Sequence, residues 1–368
     1  MRLFSICWAG WERFFKKDES TRTAALMELQ GRRVPVYRFI NSGDERLWNM
    51  HSYPGKVVLA SYPRSGNTLL RRLLEEATGI ITGSDTRPNR TLSRSLIAGG
   101  MQGEGVVDER VIVVKTHFPE RSGYRPYEAS RVVLLVRNPF DAIDSYFNMA
   151  MTNTHEKSLH PQNYERFSEV WEGMLANETR VWQRFHSYWL DKAQGEGSLP
   201  MLLVRYEDIL ADKKVVMEQV LAFLQGIPVG EIASSVSWPR LCQLGASAAP
   251  SASASAPSVA PYKPRVGKFG TGLLRCSSKQ LDHCVQIAGE VLTTFGYHVD
   301  PVSHTLNVVA PSPWLLSPVR GKQGQERPSV MVVNEGRDIR DKADWYGRGM
   351  TQFRRSQTQQ DRQPLETL

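Results

Sequence analysis

The sequence predicts an α/β fold, a doubly wound parallel β-sheet flanked by helices in a three-layer arrangement. Four short apolar runs, Val57–Ala60, Val111–Val114, Val132–Val136 and Met201–Val204, are rich in Val and Leu and hardly alternate with polar residues. That is the pattern of parallel strands covered on both faces. Helical stretches fall between them, at Thr68–Thr78, Phe140–Met151 and Tyr164–Lys192, and such alternation marks crossover units. The first run also feeds a tight turn that opens a helix. Ligands in such sheets bind beyond the carboxyl ends of the strands, so the turns after Ala60, Val114 and Val136 are expected to share one site.

The flanks read differently. Residues 1–50 are mixed and are expected to form an N-terminal extension, with the main domain over 51–300. Inside that domain the Ser/Ala/Pro-rich stretch 245–260 cannot bury a core and reads as a flexible loop. A last helix is expected from Ser278 to about Phe295, closed by Gly296. Periodicity fades after Pro301, so 301–368 reads as a C-terminal extension, disordered from about 319 where Arg, Gln, Asp and Gly dominate.

Composition narrows the function. Of 368 residues, 41% are hydrophobic and 23% charged, which suits a globular core. The net charge of +8, from 46 basic and 38 acidic residues, fits an anionic ligand. No Lys/Arg block or nucleic-acid motif is present, so nucleic acid is not an expected partner. The four cysteines, Cys7, Cys242, Cys276 and Cys284, make no C-x-x-C pair, and no residue cluster has metal-ligand spacing, so no metal is expected. Arg2, Glu12 and Arg13 interrupt any apolar leader, and no run approaches a membrane span. A cytoplasmic location is the resulting expectation. The oligomeric state is not legible.

The turn Arg64-Ser65-Gly66-Asn67-Thr68 carries the chemistry. N–H groups at a helix N-terminus lack partners inside the helix and can receive an anion. Arg64 adds a cation, and Ser61, Ser65 and Thr68 add hydroxyls. The segment is P-loop NTPase-like without being a nucleoside triphosphate loop. Set on G-x-x-x-x-G-K-[ST], Ser61 stands where the first Gly belongs and Asn67 where the Lys belongs. The second strand ends in Lys115-Thr116-His117, which brings a cation, a hydroxyl and an imidazole toward the same crevice. The third ends in Arg137-Asn138-Pro139-Phe140-Asp141 and leads to Ser145; Arg137 suits a phosphate fork and Pro139 the first turn of a helix.

Together these segments resemble the sulfotransferases that use 3'-phosphoadenosine 5'-phosphosulfate. Tyr62-Pro63-Arg64-Ser65-Gly66-Asn67-Thr68 is similar to their 5'-phosphosulfate motif, Lys115-Thr116-His117 to their Lys-Thr-His, and Arg137 through Ser145 to their 3'-phosphate motif. Arg205-Tyr206-Glu207-Asp208 resembles a Tyr-Glu-Asp whose Tyr lies near adenine, and Ser237-Trp238 a Ser-Phe pair that contacts the nucleotide. Arg265-Val266-Gly267 resembles the Arg-Lys-Gly loop that closes on the 3'-phosphate. The likeness runs in order over about residues 55–300. Arg64 stands where the soluble small-molecule members have Lys. Leu69 stands where they have a Trp that stacks on adenine, and Val266 replaces the Lys of the closing loop.

The resemblance implies transfer of a sulfuryl group to a hydroxyl or amine. His117 would be the base, with Arg64 and Lys115 stabilising charge. The 5'-phosphate would rest on Thr68 and the backbone of Ser65, Gly66 and Asn67, and the 3'-phosphate on Arg137, Ser145 and Arg265. A P-loop NTP-dependent kinase or NTPase, and a non-catalytic nucleotide-binding protein of the same fold, are the alternatives. The acceptor, whether small molecule, carbohydrate or peptide, would be held by 80–105, 150–165 and 240–265, which read as loops. Phe118, Tyr146, Phe147 and Trp171 read as core packing rather than acceptor surface.

Overall fold

The four apolar runs pair in one parallel sheet: Lys56–Ser61 (β1), Val113–Thr116 (β3), Tyr127–Val136 (β4) and Met201–Arg205 (β5). The structure is a computed structural model, and it describes residues 56–108, 110–155, 157–194, 197–234, 269–309, 314–317, 329–336 and 338–340. Ser237, Trp238, Arg265, Gly267 and the 245–260 stretch lie outside the described residues. Gly83–Ser84 (β2), Trp314–Ser317 (β8) and Met331–Val333 (β9) complete a seven-stranded sheet of order β2-β3-β1-β4-β5-β8, with β9 on β4. β8 and β9 run antiparallel to their neighbours. Tyr297–Asp300 (β6) and Thr305–Val308 (β7) form a separate hairpin.

Near-continuous apolar strands are explained by burial on both faces. Val58, Ala60, Val132, Leu134, Met201 and Leu203 belong to one core cluster. Their immediate neighbours Val57, Leu59, Val133, Leu135, Leu202 and Val204 belong to the other. The period of two along each strand thus feeds two helix layers. On the first face lie helices Pro139–Thr152 (α3), Ser168–Lys192 (α5) and Ser278–Thr294 (α8); on the second lie Asn67–Thr78 (α1) and Lys213–Gln225 (α7). Shorter helices are Thr91–Ala98 (α2), Pro161–Arg166 (α4) and Tyr206–Ala211 (α6). Among the described residues no helix is long and apolar enough to cross a membrane.

Several expectations need correction. The second strand spans Val113–Thr116 rather than Val111–Val114, because Lys115 and Thr116 still pair with Leu59 and Ala60. The stretch expected as one helix over Tyr164–Lys192 breaks at Phe167, whose φ of −118° and ψ of 36° leave the helical region. The region 80–105, expected as loop, contains α2. The C-terminal extension is ordered where described beyond 319: Met331–Val333 pairs with Tyr127–Ala129, and Arg340 is gripped by two buried carboxylates. Composition concealed this, because the stabilising partners are distant in sequence.

Candidate active site

The ends of β1, β3 and β4 open on one cavity of ≈ 1340 Å³, into which Arg64, Gly66, Asn67, Thr68, Leu69, Lys115, His117, Arg137, Ser145 and Tyr206 all contribute. Ser65 is not on its wall; it is fully buried beneath the turn. The turn is wound tightly, with Arg64 at φ 68° and Gly66 at φ 97°. Gly66 is also the N-cap of α1. A Cβ there would lie 2.3 Å from Cδ2 of Tyr206, so only glycine allows both the left-handed backbone and the tyrosine ring against it. The first N–H groups of α1 have no acceptors within the helix. The buried hydroxyl of Ser65 and Nε of Arg137 have no hydrogen-bond partner among the described residues. Of the two residues, Arg137 lines the cavity, and a guanidinium there beside a helix N-terminus fits a bound phosphate.

Arg64 and Arg137 meet at this turn. Arg137 Nη1 donates to the Arg64 carbonyl at 3.0 Å, and its guanidinium lies 4.6 Å from the centre of the Tyr206 ring. Trp182 Nε1 donates to the Arg137 carbonyl at 3.1 Å and fixes the strand end from below. Arg64 Nε donates to Ser145 Oγ at 3.0 Å, and Arg64 Nη1 to His155 Nδ1 at 2.5 Å. Residues expected at opposite phosphates are therefore bonded to each other. Asn138 caps α3 by accepting from the Asp141 N–H, with Pro139 following. Glu207 accepts from Asn138 Nδ2 at 2.8 Å and from the Tyr297 hydroxyl at 2.6 Å, tying α6 to that cap and to β6.

Lys115 and His117 form the other wall. Lys115 Nζ donates to Thr86 Oγ1 at 2.8 Å. Burial lowers this ammonium to about 8, opposed by the carboxylates of Glu104 and Asp85 and aided by Arg71 and Arg121. Beneath it Arg71 and Glu104 form an ion pair, each side chain 1% exposed. Arg71 also donates to Thr82, through Nε to its hydroxyl and Nη2 to its carbonyl. His117 Nδ1 stands 2.6 Å from the Ser61 carbonyl oxygen. A carbonyl only accepts, so Nδ1 carries the proton and Nε2 keeps the lone pair. Burial, with Lys115 and Arg121 adding to it, holds this imidazole well below its ordinary value. The imidazole is thereby kept neutral at neutral pH. A smaller recess opens beside it, walled by Asp85, Thr86, Arg87, Arg90 and Arg121.

Sequence reasoning missed Thr86, Arg71, Glu104 and His155, which no local pattern sets apart. It also missed Asp85, which accepts from the Thr116 hydroxyl at 2.5 Å. Phe118, Tyr146, Phe147 and Trp171 are buried in the core cluster. No group of three or more His, Cys, Asp or Glu able to hold a metal is found among the described residues.

The family model for the sulfotransferase domain matches residues 54–238, half of the chain. The chain is 32% identical over 183 residues to WSCD family member CG9164 of Drosophila melanogaster, a match over 50% of this chain and 54% of that one. It is 31% identical over 193 residues to WSCD family member AAEL009094 of Aedes aegypti, over 52% and 56%. To Sulfotransferase 1B1 of Canis lupus familiaris it is 23% identical over 207 residues, over 52% and 65%. The chain spans about half the length of the WSCD relatives it matches. Among solved structures, mouse sulfotransferase SULT7A1 complexed with PAP aligns at 16% identity and a TM-score of 0.38, covering 68% of this chain and 89% of that one.

Proposed function

The chain belongs to the sulfotransferase domain family, and we propose that it moves a sulfuryl group from 3'-phosphoadenosine 5'-phosphosulfate to a hydroxyl or amine of a small-molecule, carbohydrate or peptide acceptor. The observation that carries this reading is the His117–Ser61 contact, which leaves Nε2 as a proton acceptor in a cavity that also presents Lys115 and Arg64.

Bound in the cavity, the nucleotide supplies the sulfuryl group and a phosphate leaving group. The chain's own work is positioning and charge stabilisation, as in phosphoryl transfer. His117 Nε2 takes the acceptor proton, and the Ser61 carbonyl shares the imidazolium charge through Nδ1–H. Lys115, still protonated in most molecules at neutral pH, and Arg64 offset charge that builds on the transferring group and the leaving oxygen. The helix N-terminus, with the backbone of Ser65, Gly66 and Asn67, and Thr68 take the 5'-phosphate; Arg137 and Ser145 take the 3'-phosphate, for which Arg64 must release Ser145. Tyr206 lies beside both groups and offers a ring face near the base of the nucleotide.

The test is transfer of labelled sulfate from the donor nucleotide to a panel of hydroxyl and amine acceptors, with EDTA present. Metal-independent transfer that His117→Ala removes supports the reading. Magnesium-dependent release of the ATP γ-phosphate, with no sulfate transfer, overturns it in favour of an NTPase.

A further inference from the structure

The segment after β9 is fastened to the loop that follows His117, contact by contact. Asn334, at φ 70°, donates through Nδ2 to Asp85 Oδ2 at 3.0 Å and to the Arg125 carbonyl at 2.9 Å. Its Oδ1 accepts from the Gly123 N–H at 2.9 Å. Gly123 makes room for this: a Cβ there would lie 2.4 Å from Asn334 Nδ2. The Ser122 hydroxyl donates to Asp338, and the Ile339 N–H to the Pro119 carbonyl at 2.8 Å.

Arg340 ends the run and reaches deepest. Nε donates to Glu120 Oε1 at 2.6 Å, while Nη1 and Nη2 donate to Glu178 Oε1 and Oε2 at 2.6 and 2.7 Å. Both carboxylates are buried, Glu120 at 0% and Glu178 at 1% exposure. Burial alone would raise the Glu120 carboxyl; Arg121 and Arg340 overcome that and hold it at about 2. Glu178 in turn accepts from the Tyr62 hydroxyl at 2.5 Å. One guanidinium therefore joins two parts of the site. Glu120 belongs to the loop that carries His117, and Tyr62 leads through Pro63 into the Arg64 turn. Only the planar fork of an arginine serves a bidentate carboxylate and a second carboxylate together.

We propose that Arg340 is a positioning residue, one that locks the loop 117–125 against the Tyr62 end of β1 and so holds the base and the phosphate-binding turn in one geometry. The proposal rests on the reading of His117 as the base. Without Arg340, Glu120 keeps Arg121 and Glu178 keeps the Tyr62 hydroxyl, but the guanidinium that joins the two carboxylates is gone and Glu178 is left buried without that cation.

The experiment compares the full chain with Arg340→Lys and Gly123→Ala by peptide-resolved hydrogen exchange, by calorimetry with 3'-phosphoadenosine 5'-phosphate, and by kinetics. Arg340→Lys keeps a cation and is the milder change, so the test does not hang on a variant that fails to fold. The expected result is faster exchange confined to 117–125 and 334–340 and unchanged exchange in β1 and β4, including the β4–β9 ladder. With it, kcat falls roughly a hundredfold and nucleotide affinity stays within about threefold. Exchange and kcat equal to wild type overturn the proposal. So does a uniform rise in exchange through the sheet with parallel loss of nucleotide binding, which marks a merely structural role. If the unaltered chain transfers no sulfate at all, the functional reading fails, and the exchange pattern still decides whether Arg340 locks the loop.

Discussion

His117 Nδ1 lies 2.6 Å from the carbonyl oxygen of Ser61, the last residue of β1. Two segments more than fifty positions apart in sequence meet in this bond, and it sets which ring nitrogen is basic. Ser61 also accepts on its hydroxyl from Asn67 Nδ2 at 2.8 Å. The imidazole, the strand end and the first residue of α1 are thus one hydrogen-bonded unit.

Replacing His117 with Ala is expected to lower kcat by roughly 10²–10⁴-fold, the usual contribution of a positioned base. Nucleotide affinity should change by less than about threefold, because the proposed phosphate contacts lie on the turn and on α3. Steady-state kinetics beside calorimetry checks both halves. A variant that turns over at the wild-type rate removes His117 from the mechanism.

The pH dependence has a defined shape. His117 must be neutral, and burial keeps it so to well below its ordinary range. The acid limb of kcat/KM should therefore fall below the ordinary imidazole value of about 6.5. Lys115 must be charged, and its ammonium titrates at about 8, so kcat/KM declines as pH rises through that value. A plateau between these limits is expected from initial rates in overlapping buffers.

Glu104→Gln separates the origin of that alkaline limb from other causes. Glu104 favours the Lys115 ammonium, so removing its charge moves the limb to lower pH. The same change leaves Arg71 buried without its carboxylate, at a cost of about 3–5 kcal/mol. Urea unfolding should register this. An unmoved limb contradicts the assignment of that limb to Lys115.

Gly66→Ala tests the phosphate-binding turn. The alanine must adopt φ 97° and press its methyl on Tyr206, a combination costing about 1–3 kcal/mol. If the turn opens to relieve it, affinity for the adenosine bisphosphate drops roughly tenfold or more while His117 keeps its tautomer. Calorimetry measures the loss, and the imidazole nitrogen shifts report the tautomer.

Much of this site was legible in the sequence because its parts sit at strand ends. Arg64, Lys115 and Arg137 each follow or finish a Val/Leu run, and a doubly wound sheet brings such ends to one edge. The fold was legible for the same reason: a run covered on both faces has no polar alternation to confuse it. Illegible features depend on partners far along the chain. Arg340 looks like one arginine in a polar tail, and its two carboxylates lie 220 and 162 positions away. Arg71 carries no local sign of burial, yet it is buried on Glu104. Lys115 and Thr116 continue β3 although polar residues seldom continue a buried strand. They do so here because Thr86 and Asp85 receive them.

The most direct measurement is calorimetric titration of the chain with 3'-phosphoadenosine 5'-phosphate, with AMP and ATP as comparators, repeated on Arg137→Met. The predicted result is a preference of roughly tenfold or more for the 3',5'-bisphosphate over AMP and ATP, lost when Arg137 is replaced. Equal or tighter binding of ATP, with no dependence on Arg137, would contradict a sulfuryl-donor site.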